Sequence, residues 1–280
     1  IALANFLCWL EKSAGRGKTT EWDVGLKIDG LREELDLHRG PSFQTIAGYG
    51  ANGAIVHYRA SEKSSAKLKK GSLLLVDSGG QFLDGTTDVT RTVAIGKPTQ
   101  EMKDRYTRVL KGHLALARAR FPEGTTGGQL DTLARKPLWD IGLDYEHGTG
   151  HGVGSYLGVH EGPQRISKAP STVALEPGMV VSNEPGYYKS GGYGIRIENL
   201  VMVTTVKAEK GWERKLLGFE TLTCAPYDLN LIEPKLLNRA EIEWINGYHA
   251  WVKKSLEKKL DKTVKAWLQK ATKPLKLPRA

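Results

Sequence analysis

The stretch SLLLVDSGGQFLDGTTDVTRTVAIG (residues 72–96) decides the fold, because it places two acids on two apolar strands. Its composition predicts strands over 72–78 and 86–95, with a turn at Asp84 and Gly85. Side chains alternate between the faces of a strand, so Asp77 shares a face with the apolar residues 73 and 75, and Asp88 shares one with two threonines. Burying a lone carboxylate costs several kcal/mol, so these two acids need a reason to be there.

A second pair of strands repeats this arrangement. The segments GMVVSNEPGYY (178–188) and GGYGIRIENLVMVTTV (191–206) are predicted to form it, with Glu184 on the face of Ser182 and Glu198 on the face of Arg196. Apolar residues recur at helical spacing over 99–120, and residues 127–141 are predicted to be helical as well. The sequence therefore predicts two related α/β halves that face one another.

If the four acids converge, their like charges raise each other's pKa and leave some of them protonated. Two divalent cations remove this problem, because four carboxylates balance a charge of +4. An oxygen-rich site with one imidazole favours Mn²⁺, Co²⁺, Fe²⁺ or Zn²⁺ over a thiolate zinc site. Two such ions about 3.5–4 Å apart can share a hydroxide and aim it at a carbonyl group. Any one of these acids alone would be read as a surface or turn residue, as Asp84 is.

The stretch HGTGHGVG (147–154) carries two histidines four residues apart. Four glycines in eight residues do not hold a helix, so the pair is not a helical metal motif. A metal ligand, a substrate contact and a flexible loop are the alternatives that these residues leave open. His57, in IVHYR, is open to two interpretations, a hydrogen-bonded core residue or a pocket residue, and His113 is predicted to be structural.

Composition limits the class of protein. The 280 residues are 40% hydrophobic and 26% charged, which is typical of a globular protein, and no apolar run reaches the ~20 residues that span a bilayer. The net charge is +10, but ten basic and two acidic residues in 251–280 supply +8 of it. A charged tail is more often a solvated helix face than a nucleic-acid site, so we expect neither nucleic-acid nor membrane binding. The two distant cysteines indicate a reducing compartment.

The order of four motifs resembles one known family. VDSGGQFLDGTTDVTRT, HGTGHGVGSYLGVHEGP, SNEPGYY and GIRIEN are similar to the motifs of the pita-bread metallopeptidases, which include methionine aminopeptidases, prolidases, creatinases and aminopeptidase P. NGAIVHYR, VHEGPQRIS and LLNRAEIEWINGYHAWV most resemble the catalytic domain of aminopeptidase P, which removes the residue before proline at a peptide N-terminus. The resemblance implies the pita-bread fold, an α+β fold with two pseudo-symmetric halves around a curved, mostly antiparallel sheet.

The resemblance also implies five metal ligands. Asp77 would bind one ion, His151 and Glu184 the other, and Asp88 and Glu198 both. Glu184 would in addition act as general base and then acid while the bridging hydroxide attacks the Xaa-Pro carbonyl. The implied cofactor is two divalent ions per chain, Mn²⁺ first, with Zn²⁺ or Co²⁺ as alternatives.

Further site residues are implied in the same way. His160 would contact the substrate and steady the tetrahedral intermediate. His57 and His147 would line the pocket on the proline side, and Arg196 would hold the bridging carboxylate of Glu198 by a charge-assisted bond.

The predicted domain plan is a remnant of a linker or upstream region over 1–15 and a pita-bread catalytic domain over 16–280, with a helical tail over 240–271. One long terminal helix is expected, with a stripe from Trp244 to Leu268, packed on its own domain or on a partner in a homodimer. With the family's N-terminal domains absent, we expect the chain to bind metal but to turn over poorly alone. A proline-containing peptide is the expected substrate, and the cytoplasm the expected location. A prolidase and a non-catalytic peptide- or histone-binding module remain the alternatives.

Overall fold

Six α-helices accompany the strands in the computed structural model, which describes residues 1–276. Short 3₁₀ turns cover Gly50–Ala54, Leu229–Leu231 and Pro234–Leu236. The helices are α1 (Ala2–Ser13), α2 (Glu21–Glu33), α3 (Gln100–Ala117), α4 (Gly127–Trp139), α5 (Arg239–Leu256) and α6 (Lys262–Ala271).

The strands are short, and every pair among them is antiparallel. In chain order they are β1 (Arg16–Thr20), β2 (His38–Pro41), β3 (Ile46–Tyr49), β4 (Lys67–Lys69), β5 (Ser72–Ser78), β6 (Gly80–Phe82), β7 (Gly85–Thr86), β8 (Val89–Ile95), β9 (Phe121–Pro122), β10 (Gly150–Gly152), β11 (Glu161–Ile166), β12 (Val180–Asn183), β13 (Gly186–Lys189), β14 (Tyr193–Arg196), β15 (Asn199–Thr205) and β16 (Leu216–Thr221).

The first half of the fold is the sheet β3-β5-β8. Its central pair runs in register from Ser72 opposite Ile95 to Ser78 opposite Val89, so Asp77 lies opposite Thr90. The chain between β5 and β8 folds into the smaller hairpin β6–β7, whose turn contains Asp84. The predicted strand pair and turn are confirmed, although the second strand begins at Val89 instead of residue 86.

The second half repeats this plan in the six-stranded sheet β11-β10-β12-β15-β16-β9. Strands β12 and β15 pair from Val180 opposite Met202 to Asn183 opposite Asn199. The segment between them folds into the hairpin β13–β14, as β6–β7 does in the first half. One strand pair was predicted here, and the structure has two. The hairpin β13–β14 lies between the paired strands β12 and β15 in the chain.

The two halves contact one another along these strand ends. The backbone N–H of Glu198 donates to the carbonyl of Thr90 (3.1 Å), and that of Arg196 donates to Thr92 Oγ1 (3.0 Å). Gln81, on the β6–β7 hairpin, donates from Nε2 to the carbonyl of Leu157 in the other half (2.5 Å). Each nested hairpin thus contacts the opposite half, which brings the two strand ends together.

Apolar side chains on both halves form the core. Phe6 of α1 and Ile28 of α2 are fully buried against Leu74 of β5, so residues 1–15 pack on the first half. Helix α3 carries a second cluster with α5 and α6, in which Leu110 is fully buried. Within residues 1–276, no helix combines the length and the apolar character needed to cross a membrane.

The terminal helix is not continuous, and the prediction of one long helix over the stripe was wrong. Helix α5 ends at Leu256, and Asp261 begins α6 by accepting hydrogen bonds from the N–H groups of Thr263 (2.7 Å) and Val264 (2.9 Å). An acid at this position caps a helix, and the stripe spacing conceals the break. The stripe itself packs on its own chain, since Val264 and Leu268 are buried in the α5 cluster.

Helix α5 contains a buried histidine that a fall in pH should affect. His249 is fully buried, its Nε2 accepts the N–H of Tyr227 (3.1 Å), and its Nδ1 has no hydrogen-bond partner among the described residues. Burial, followed by the charge of Arg91, lowers the pKa of His249 to about 4.

This histidine should make the protein less stable in acid. The unfolded chain takes up the proton near pH 6.5 and the folded chain only near the lowered pKa, so the free energy of unfolding should fall as pH drops between these values. Replacing His249 by Gln should remove up to about 1.4 kcal/mol per pH unit of this slope. Urea unfolding at pH 7, 6, 5 and 4.5 measures it. Equal slopes for the wild-type protein and H249Q would contradict the assignment.

Candidate metal centre

Four acids lie at corresponding strand ends in the two halves. Asp77 lies near the end of β5, and Asp88 comes immediately before β8. Glu184 comes immediately after β12, and Glu198 immediately before β15. Asp88 is 4% exposed and Glu198 only 1%. The repeated strand pair with its nested hairpin therefore delivers one acid at each junction, and all four line a single cavity of about 350 Å³.

His151 joins the acids from the middle of β10. Its Nε2 lies 3.3 Å from Glu184 Oε1 and 3.4 Å from Asp88 Oδ2. One ligand atom each from Asp88, His151 and Glu198 fall within 4.8 Å of one another. The buried Oδ1 atoms of Asp77 and Asp88 have no hydrogen-bond partner within residues 1–276. Buried oxygen atoms that no protein donor satisfies, beside an imidazole nitrogen, are a donor set that fits divalent cations.

The protonation of the cluster reflects crowding of negative charge. Burial raises the pKa of Asp77 to about 7, against the opposing charge of Arg196. Burial and the charges of Asp88, Glu184 and Asp77 raise the pKa of Glu198 well above its usual range. Burial alone would lower the pKa of His151, but hydrogen bonds to Asp88 and Glu184 outweigh it and raise the pKa to about 10. Without a cation, the site holds protons in its place.

Glu184 differs from the other acids. Burial alone would raise its pKa, but the hydrogen bond and charge of His151 lower the pKa to about 2. Ser182 couples the same two residues from β12, because its hydroxyl donates to Glu184 Oε1 (3.0 Å) and accepts the N–H of His151 (2.9 Å). In the metal-free site, the protonated His151 thus keeps Glu184 at the cavity wall as a carboxylate.

Arg196 was expected to bind Glu198 directly, and the structure places it differently. Its Nη2 donates to Asp77 Oδ2 (2.6 Å), and its Nε donates to Thr90 Oγ1 (3.1 Å). The Thr90 hydroxyl in turn donates to Glu198 Oε2 (2.8 Å). Strand β14 ends at Arg196, so alternation along a strand does not extend to Glu198. The guanidinium binds Asp77 of β5 and reaches Glu198 only through Thr90.

Tyr188 is a site residue that the sequence analysis missed. Its hydroxyl lies 2.8 Å from His147 Nε2 and accepts a hydrogen bond from Arg196 Nη1 (2.7 Å). A chain of contacts therefore runs from His147 through Tyr188 and Arg196 to Asp77. In the β13–β14 register, Arg196 lies opposite Gly186, two residues from Tyr188 on the same face, and that register cannot be read from composition.

The remaining two predicted histidines also line the cavity. The ring of His160 lies edge-on to that of His151, with centroids 4.3 Å apart, and its side chain is exposed at the cavity mouth. His57 is exposed and lines the cavity with Val56. All nine residues predicted for the site therefore border one cavity. His113 does not; it is fully buried and bonded to the carbonyl of Asn183 and the hydroxyl of Tyr227, as a structural residue would be.

The glycines of HGTGHGVG serve strand packing. Gly150 and Gly152 flank His151 in β10, and a Cβ on them would lie 1.9 Å from the carbonyl of Ser182 and 2.1 Å from that of Glu161. The segment before β10 is held by Arg135, whose guanidinium donates to the carbonyls of Tyr145 (2.6 Å) and His147 (2.9 Å). The strand β10 and the segment before it are therefore held in place, which orients the His151 ring toward the acids.

The sequence of this chain is similar to that of known metallopeptidases. Residues 1–205 match the sequence profile of metallopeptidase family M24, and residues 215–275 match the C-terminal region of peptidase M24. The chain is 49% identical over 280 residues to a probable Xaa-Pro aminopeptidase P of Laccaria bicolor, covering 98% of this chain and 44% of the fungal protein.

Solved structures agree in fold. The crystal structure of X-prolyl aminopeptidase from Caenorhabditis elegans, described as a cytosolic enzyme with a di-nuclear active site, is similar with a TM-score of 0.93 and 44% identity, covering 98% of this chain and 45% of the nematode chain. A prolidase from Thermococcus sibiricus is similar at a TM-score of 0.65 and 29% identity, over 81% of this chain and 58% of the other. The chain thus spans less than half the length of the fungal and nematode aminopeptidases. By profile, identity and pita-bread fold together, it belongs to metallopeptidase family M24.

Proposed function

We propose that the protein is an aminopeptidase that uses two divalent metal ions to hydrolyse the bond between an N-terminal residue and proline. The observation that carries this proposal is the convergence of four carboxylates and one imidazole in a single cavity. The whole-chain similarity to Xaa-Pro aminopeptidases supports the same substrate class.

The metal ligands in this proposal are the five residues Asp77, Asp88, His151, Glu184 and Glu198. The unsatisfied Oδ1 atoms of Asp77 and Asp88 are available to cations, and four carboxylates balance two divalent ions. Loading requires the protons on Glu198 and His151 to leave, because ligands bind metals in their deprotonated forms. When bound, the two ions supply Lewis-acid polarisation of the scissile carbonyl and activation of a water molecule.

The chain's own groups handle the proton. Glu184 accepts a hydrogen bond from Ser182 and faces the cavity. It is placed to take a proton from the attacking water while the new C–O bond forms, and to return it to the proline nitrogen as the C–N bond breaks. The proline nitrogen leaves as an amine, so this proton completes the balance of the reaction.

The histidines would bind the substrate around the reacting bond. Exposure at the mouth lets His160 donate to the oxygen of the tetrahedral intermediate. His57 and His147 stand beside the apolar side chains of Phe43, Ile46 and Val56. Such apolar side chains fit a proline ring. They also need no hydrogen bond from the substrate, and proline has no backbone N–H to donate.

Two observations favour this function over its alternatives. Identity to the fungal and nematode aminopeptidases is 49% and 44% over 98% of the chain, against 29% over 81% for the prolidase. A non-catalytic binding module would have no need of unsatisfied carboxylates buried beside an imidazole. Mn²⁺ is the proposed metal because oxygen-rich sites suit it, and the cytosol is the proposed location because the nematode relative is described as cytosolic.

Hydrolysis of Arg-Pro-Pro and Ala-Pro by the purified protein tests the function, with Mn²⁺, Co²⁺ and Zn²⁺ compared. We expect release of arginine from Arg-Pro-Pro and a loss of about 100-fold or more in kcat/KM for Asp88→Ala. Cleavage of Ala-Pro alone would establish a prolidase. Fewer than one bound ion per chain, together with no hydrolysis of either peptide, would favour a binding module.

The two histidines of HGTGHGVG should separate metal binding from turnover. His151→Ala should weaken Mn²⁺ binding by about 100-fold, because it removes the nitrogen donor. His147→Ala should keep the metals and lower kcat/KM by about tenfold or more, since each tenfold corresponds to about 1.4 kcal/mol of lost transition-state contact. Calorimetric Mn²⁺ titration and peptide kinetics on both variants measure this. The opposite pattern would reverse the two assignments.

Thr90 should affect the metals without being a ligand. Thr90→Val removes the hydroxyl that donates to Glu198 and accepts from Arg196, so Mn²⁺ affinity should fall by about 10–100-fold. Thr92→Val is the matched control, because Thr92 is equally buried and its hydroxyl also makes two hydrogen bonds, both to the backbone of Arg196. Both variants should lose similar stability. Equal losses of Mn²⁺ affinity would show that the effect is one of folding alone.

A further inference from the structure

Arg59 is a cation in the cavity that the proposed mechanism does not use. Its side chain is exposed and borders the same cavity as the four acids, two residues beyond His57. No hydrogen bond or salt bridge joins its guanidinium to any residue within the described range 1–276. The protein therefore presents an uncompensated positive charge to whatever enters the cavity.

The backbone that carries Arg59 is held in place. The hydroxyl of Tyr58 donates to Glu21 Oε2 (3.0 Å) and accepts from Asn52 Nδ2 (3.0 Å), while its N–H donates to the carbonyl of Ile55 (3.0 Å). Glu21 is fully buried and also accepts the N–H of Ala66 (2.7 Å). With Tyr58 held against Glu21, both of its neighbours, His57 and Arg59, border the cavity.

The two guanidinium groups of the cavity differ in their freedom. Arg196 is 2% exposed and already occupied by Asp77, Thr90 and Tyr188. Arg59 faces water and has all its donors available. Because Arg carries its charge at every physiological pH and offers a planar fork of donors, it matches a carboxylate in two parallel hydrogen bonds.

One small cavity is bordered by both Arg59 and the four acids, so a short bound peptide can contact both. A volume of about 350 Å³ lies near the lower end of small-ligand sites, so a short peptide fills it. In an aminopeptidase substrate the bond to be cut lies one residue from the amino end, so that end lies beside the four acids and the chain after proline extends away from them. His57 is proposed to lie on the proline side, and Arg59 borders the same cavity two residues along the chain, together with Val56 and Phe43.

We propose that Arg59 determines substrate specificity by favouring peptides that carry a carboxylate on the C-terminal side of proline. This inference rests on the proposed function and narrows its substrate class. The carboxylate has two possible sources, the free C-terminus of a short peptide and an acidic side chain after proline. An ion pair at an exposed site contributes modestly, so the preference should be about threefold to tenfold in kcat/KM.

Two matched pairs of peptides test the inference. Ala-Pro-Ala is compared with its C-terminal amide, and Ala-Pro-Glu-amide with Ala-Pro-Gln-amide. The wild-type protein should prefer the charged member of at least one pair, and raising the salt concentration should weaken that preference. In Arg59→Gln the ratio should approach one, and in Arg59→Lys it should be partly kept. Arg214→Gln is the control, because Arg214 is exposed and lies outside the cavity lining.

The outcomes separate the two carboxylate sources and the two proposals. A preference within the first pair identifies the C-terminus, and one within the second identifies the acidic side chain. No preference in the wild-type protein, or an unchanged ratio in R59Q, overturns the role of Arg59. Calorimetric binding of Pro-Ala and Pro-Ala-amide gives the same comparison without turnover. Absence of hydrolysis together with a charge preference in binding would count against the proposed function and would support recognition of a carboxylate by Arg59.

Discussion

Repulsion among four carboxylates in one cavity is the constraint on which the rest of the structure depends. Asp77 and Glu198 carry raised pKa values because they are buried near other acids, and His151 holds a proton because two of those acids surround it. Arg196 supplies one fixed positive charge against Asp77. The remaining charge must come from protons or cations, and cations also coordinate the buried oxygen atoms that have no protein donor among the described residues.

Such a cluster needs a rigid frame, because like charges would separate if the strands could move. The frame is the meeting of two strand pairs, each interrupted by a nested hairpin that contacts the other half. Behind the acids, the buried guanidinium of Arg91 donates to the carbonyl of Glu198 (2.6 Å), the side chain of Asn199 (2.8 Å) and the carbonyl of Ala225 (2.8 Å). These three hydrogen bonds hold the strand ends while the carboxylates face the cavity.

Predictions from the sequence succeeded where one strand or one helix carries the signal. The acid at the end of LLLVD and the apolar spacing of α3 are local patterns, and the structure has them at the expected places. The break before α6 was missed because capping by Asp261 competes with a stripe that continues across it. Tyr188 was missed because its role depends on a cross-strand neighbour, and hairpin register is a property of two segments together.

The sequence by itself determined which residue types the site contains and that each acid lies in or next to an apolar strand, since strand composition is a local pattern. It also determined the family, through motifs in a fixed order. Only the tertiary structure decided which donor meets which acid, so that Arg196 binds Asp77 and reaches Glu198 through Thr90. It likewise decided that Arg59 borders the cavity. Such contacts join residues far apart in the chain, and their distances follow from how the two halves pack.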